Sequence, residues 1–429
     1  MPGMWMICSW MACSSPGPAP IPTSPAGPPL QGTDELWIDE ALAPRCPDPG
    51  PEVSPAAGDL HRITVEGTRC NDGTPAVAYA RSATDPDHAD DWVLFMHGGG
   101  DCHTWQTCAD RWCGLEYDAG KMSSRWATES VGGSGLTGSS PDNAFAGYNV
   151  VELPYCSSDS WLGQAPDTVL VSDDGLDAFQ VHFEGSQNLM TTIELLKGGA
   201  ISDDGVVSVP AMASAELVVL AGTSAGSMGA AVHLDRVADV LPGVRVLGVL
   251  DSMFYPAAEA LPSDAIRAGI DGVIEDWWDH QFATWRPALD ETCSLALGHE
   301  GWLCTDLEIL YRTWIETPFL LNHDVWDPRI YPNAAPSGLL WDDWGAVGSD
   351  SLRIFASEQP RASFRGSACG HHAALGDPAR FLGIGVVDAV GGGGPWTLHD
   401  ALVSLVEGEV VVAVDEPSGA GSRCDPPAL

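Results

Sequence analysis

Hydrophobic residues along this chain gather into short unbroken runs, set apart by longer stretches in which apolar side chains recur at three- and four-residue intervals. Runs such as Trp92-Val93-Leu94-Phe95-Met96 and Val218-Val219-Leu220-Ala221 show no polar alternation. That is the pattern of strands covered on both faces of a sheet. Strand-like runs that alternate with helical stretches predict an α/β chain with a mostly parallel central sheet flanked by helices. A hairpin is predicted from Ile63 to Ala80, turning at Asn71-Asp72-Gly73. Strands are predicted at 92–97 and 148–154, a helix at 176–197, and a strand and helix on either side of Ser224. A strand at 244–250, helical material over 262–316, strands near 319 and 351, and a helix at 397–406 complete the pattern. No internal repeat is evident.

The run Val218 to Ala221 stops at Gly222-Thr223-Ser224-Ala225-Gly226, a serine flanked by glycines between a strand and a helix. A turn this tight forces the serine into a strained backbone conformation and leaves its hydroxyl exposed at the carboxyl end of the sheet. Upstream, the strand-like run to Met96 leads into His97-Gly98-Gly99-Gly100, a sequence of the kind that supplies oxyanion donors in esterases. Backbone N–H groups of Gly99, Gly100 and Ala225 are the candidate oxyanion hole, and each such donor contributes roughly 3 kcal/mol to the transition state. A serine needs a histidine base and a carboxylate to orient it. His371 and His372, in Ser367-Ala368-Cys369-Gly370-His371-His372, are the best placed bases, and spacing does not choose between them. Asp251, just after the strand at 244–250, stands where a triad acid can reach the base.

Several separated blocks resemble the pectin acetylesterase family, which includes the Notum carboxylesterases. They are Gly98-Gly99-Gly100 with Cys102 and Cys108; Val151 to Gly163; the Ser224 elbow; Leu234 to Val237; Leu250-Asp251-Ser252; Phe319 to Trp326; and Cys369 to His372. The resemblance spans residues 60–405 and implies an α/β-hydrolase-like fold, a Ser224, Asp324 and His372 triad, and Asp251 in a supporting role. It requires no metal and no cofactor. The chain departs from the family at Asp101, where relatives place tryptophan, and at Ser227, where they place glycine. A carboxylate at 101 would oppose negative charge that develops in the oxyanion hole.

Residues 14–35 form a Pro/Ser/Gly-rich tether after a short apolar segment at 1–13, which resembles a clipped signal with a lipid-attachable Cys13. Residues 36–429 are then one esterase domain, large enough for a substantial core. Ten of the 12 cysteines lie beyond residue 13, an even number that suggests disulfides and a secreted or cell-surface protein. Cys293 and Cys304 bracket a short loop that they would close. No C-x-x-C pair points to zinc. With 59 acidic against 19 basic residues the formal charge is −40, which argues against nucleic acid and disfavours de-esterified pectin.

The expected activity is O-acyl ester hydrolysis, with acetyl as the first expectation, on an acylated polysaccharide, polyol or other ester. A longer acyl chain, as in the Notum branch, and a non-catalytic carbohydrate- or lipid-binding module are the alternatives.

Overall fold

The computed structural model describes residues 38–46, 57–115, 119–386, 395–417 and 424. The expected signal segment, the tether and Cys13 lie outside the described residues. From the amino end come β1 (Leu60–Thr64), β2 (Val77–Arg81), β3 (Asp91–Met96), β4 (Ser130–Val131) and β5 (Asn149–Leu153). Two small hairpins follow, β6 (Ala165–Val171) with β7 (Ala178–Phe183) and β8 (Ala200–Ile201) with β9 (Ser208–Val209). The carboxyl half adds β10 (Leu217–Thr223), β11 (Arg245–Asp251), β12 (Phe319–Asp324), β13 (Ser363–Ser367) and β14 (Val412–Val414).

Ten of these strands form one sheet in the order β14-β13-β12-β11-β10-β3-β5-β2-β1-β4. Every pair from β14 to β5 is parallel, and β2, β1 and β4 extend the sheet antiparallel. The unbroken apolar runs follow from this arrangement. Along β3, Trp92, Leu94 and Met96 enter one core while Val93 and Phe95 enter the other. Val218 and Leu220 of β10 likewise oppose Leu217, Val219 and Ala221. Helices Gly185–Lys197 and Ala225–Val240 cover the first face, and helix Leu398–Val406 covers the second.

Three expectations change. The predicted turn at Asn71-Asp72-Gly73 belongs to a longer connection between β1 and β2, in which Asn71 and Asp72 are buried. The Asn71 amide donates to the carbonyls of Ser157 at 2.7 Å and His182 at 2.8 Å, so this loop is a strut beneath its neighbours. Residues 176–197 divide into β7 and a helix, because Phe179, Val181 and Phe183 are buried at period two. Residues 351–356 lie inside helix Trp341–Glu358, whose Trp344, Val347, Leu352 and Phe355 form its buried stripe. The strand expected there is β13.

Ten cysteines pair as Cys46–Cys113, Cys70–Cys156, Cys102–Cys108, Cys293–Cys304 and Cys369–Cys424. Cys70–Cys156 ties the Asn71 loop to the segment that follows β5, and Cys102–Cys108 braces the segment after the glycine loop.

Candidate active site

Ser224 sits between β10 and helix Ala225–Val240 with φ 55° and ψ −123°, the strained conformation expected of a nucleophile elbow. Two glycines make that turn possible. A Cβ on Gly226 would stand 2.1 Å from the carbonyl oxygen of Met96, and one on Gly98 would stand 2.3 Å from that of Thr223. The glycine loop and the elbow therefore press backbone against backbone. Gly99 and Gly100 both have positive φ, at 145° and 63°, and Gly100, Ala225 and Ser224 share one cavity. The N–H of Ser224 donates to the Asp251 carbonyl at 2.8 Å, which leaves those of Ala225 and the glycine loop as the candidate oxyanion donors.

His372 lines the same cavity. Its Nδ1 lies 2.8 Å from Oδ2 of Asp327, a fully buried carboxylate. The other Asp327 oxygen accepts the N–H groups of Arg329 at 2.8 Å and Ile330 at 3.3 Å. The carboxylate expected against His372 was Asp324, and it is elsewhere. Asp324 accepts from the Ser367 hydroxyl and stands 3.4 Å from Nδ1 of His371. The reason is geometric. Asp324 is the last residue of β12 and points at its neighbour strand β13, whereas the turn from Asp324 to Asp327 carries the second carboxylate past the strand end to the histidine loop.

Asp251, also fully buried, binds that loop to the elbow. One oxygen accepts from Ser252 Oγ at 3.0 Å and Asn322 Nδ2 at 2.7 Å; the other accepts from Thr223 Oγ1 at 3.0 Å and the N–H groups of Ala374 at 2.7 Å and Leu375 at 3.0 Å. Arg380 adds bonds to the carbonyls of His372 and Ala373. Asp251→Asn exchanges one acceptor for a donor facing other donors. We expect it to destabilise the fold by about 2–4 kcal/mol, read as a lowered midpoint in denaturant. An unchanged midpoint would remove this bracing role.

Sequence patterning gave no sign of two further supports. Glu152 on β5 meets Nε2 of His97 at 3.0 Å and the Thr137 hydroxyl at 2.5 Å, behind the glycine loop. Burial raises its pKa, but these two partners outweigh it and the carboxyl stays below its ordinary value. Asp159 anchors a strained loop in which Ser158, Ser160 and Trp161 all have positive φ, and it accepts from Ser157 Oγ and the N–H groups of Trp161 and Gly185. Burial pushes its pKa up to about 7 against the pull of those donors. This loop lies in the Val151 to Gly163 block that carries part of the family resemblance. Ser160 from it lines the cavity.

The cavity measures about 550 Å³. Met253, Phe254, Ile270, Ile274, Trp277 and Ile330 form much of its wall, and Asp101 stands beside the glycine loop with its side chain 19% exposed. Asp324, His371 and Cys369 place ligand atoms within 4.8 Å of one another, as a metal site would, but Cys369 is bound to Cys424 and only two donors remain.

A serine elbow at the carboxyl end of a parallel sheet, with a histidine delivered by a later loop, defines an α/β-hydrolase-like protein. The chain belongs to the pectinacetylesterase family, whose model, Pectinacetylesterase, matches residues 58–325. The palmitoleoyl-protein carboxylesterase NOTUM of Mus musculus is 29% identical over 245 residues, covering 52% of this chain and 44% of that protein. The Drosophila melanogaster NOTUM is 30% identical over 279 residues, 62% of this chain and 37% of its own length. The match thus spans less than half of these curated relatives. A solved structure of the Wnt deacylase Notum from Drosophila covers 86% of this chain and 100% of its own with TM-score 0.65 and 22% identity, a likeness of fold.

Proposed function

We propose that this chain is a serine carboxylesterase that works through Ser224, His372 and Asp327. The observation that carries this reading is the shared cavity of Ser224 and His372, with Nδ1 of His372 held by Asp327 at 2.8 Å. With Nδ1 donating to Asp327, Nε2 is the nitrogen left to take the Ser224 proton as the hydroxyl attacks an ester carbonyl. The N–H groups of Ala225, Gly100 and Gly99 then hold the oxyanion, and His372 passes its proton to the departing alcohol. Water activated by the same histidine releases the acid from the acyl-enzyme. Asp327 replaces Asp324 in the expected triad, because an acid must touch the base it orients.

The cavity favours an acyl chain longer than acetyl. One methyl group leaves most of the 550 Å³ unfilled, including the part lined by Ile270, Ile274 and Trp277, and each further methylene buried contributes about 0.8 kcal/mol, roughly fourfold in rate if the chain is held in the transition state. The NOTUM relatives, named as palmitoleoyl-protein carboxylesterases, agree with this. The five disulfides fit a secreted protein.

A series of p-nitrophenyl esters from acetate to decanoate tests both points. We expect kcat/KM to climb by about fourfold for each methylene the cavity buries, on the order of 10³-fold from acetate to octanoate if all six are buried. A maximum at acetate would return the acetyl reading, and no hydrolysis at any length would leave the non-catalytic binding module.

A further inference from the structure

We propose that the alcohol half of the substrate carries a positive charge and that Asp101 selects it. This rests on the esterase reading above and adds the chemistry of the leaving group. Asp101 follows Gly100 directly, so its Cα stands about 3.8 Å from that of a candidate oxyanion residue, and both residues line the cavity with Ser224. The apolar wall under helix Asp264–Trp285 suits the acyl chain. The polar lining residues next to the glycine loop, Asp101 and Ser160, are then assigned to the alcohol.

A carboxylate in that place is a liability for a neutral ester. Its charge opposes the oxyanion that forms beside it, and partial burial leaves water little room to screen the repulsion. A cationic alcohol turns the liability into binding energy, because the cation pairs with Asp101 and sits near the oxyanion. Nδ1 of His103 stands 3.6 Å from Asp101, a partner that is charged only when protonated. Arg329 also lines the cavity, but it is exposed and its field is screened. Tyr255 lines the same cavity; burial first, then the charges of Asp306 and Asp101, keep its phenol protonated, so the field of Asp101 reaches this aromatic wall. An aromatic ring beside a carboxylate suits a quaternary ammonium. The formal charge of −40 adds a long-range field that draws cations in and turns anions away.

The test compares butyrylcholine with its uncharged isostere, 3,3-dimethylbutyl butyrate, at pH 8 on the full chain and on Asp101→Asn and Asp101→Glu. We expect the native chain to favour the choline ester about tenfold in kcat/KM, a ratio near one in Asp101→Asn, and a retained preference in Asp101→Glu. The native ratio needs no variant to fold. Equal rates for the two esters, or a preference that survives in Asp101→Asn, overturns the proposal and leaves the esterase reading in place. Failure to hydrolyse these or any p-nitrophenyl ester overturns both.

Discussion

Ser224→Ala is expected to remove ester hydrolysis, with kcat lowered about 10⁶-fold, the loss seen when the nucleophile of a serine protease is deleted. The hydroxyls on either side of the elbow are already committed. Thr223 commits its hydroxyl to Asp251, and Ser252 joins Asp251 to the N–H of Ala373. The variant should fold as the native chain does, since the hydroxyl fills no core. Its positive φ is strained for alanine as for serine, and so the melting temperature should barely move. Esterase rates and a thermal melt on the same preparation check both halves.

The second large effect separates two carboxylates three residues apart. In Asp327→Asn the amide oxygen will stay with the N–H groups of Arg329 and Ile330, which need an acceptor. That turns the NH₂ towards Nδ1 of His372. The ring must then accept at Nδ1 and carry its proton on Nε2, where it cannot act as base to Ser224. The same tautomer error costs about 10⁴-fold in kcat in serine proteases. Asp324→Asn alters the contacts with Ser367 and His371, away from His372, and we expect a rate within tenfold of native with some loss of stability. Steady-state rates for the two variants decide it. A more severe loss in Asp324→Asn would reverse the assignment.

That pair also marks the limit of what the sequence disclosed. The central strands were plain, because a strand covered on both faces cannot interrupt its apolar run, and the elbow and glycine loop were plain because a Cβ at Gly226 or Gly98 would stand 2.1–2.3 Å from a backbone oxygen, so neither position admits a side chain. Asp327 was hidden. A carboxylate in a turn looks the same in sequence whether or not a histidine 45 residues later folds onto it. Asp251 lay open as a candidate acid, yet its role emerges only from five donors on four segments of chain. The run at 351–356 misled for a simpler reason. Six residues with mixed polarity fit a strand or a helix, and the burial of Trp344 and Val347 upstream settles the period.

The most direct measurement of the central claim is the site of covalent capture. A fluorophosphonate should phosphonylate the native chain once, on Ser224, as read by peptide mass spectrometry, with loss of esterase activity in step with labelling. His372→Ala and Asp327→Asn should label far more slowly, and Asp324→Asn at close to the native rate. A label on another residue, or full retention of activity after Ser224 is modified, would contradict the account.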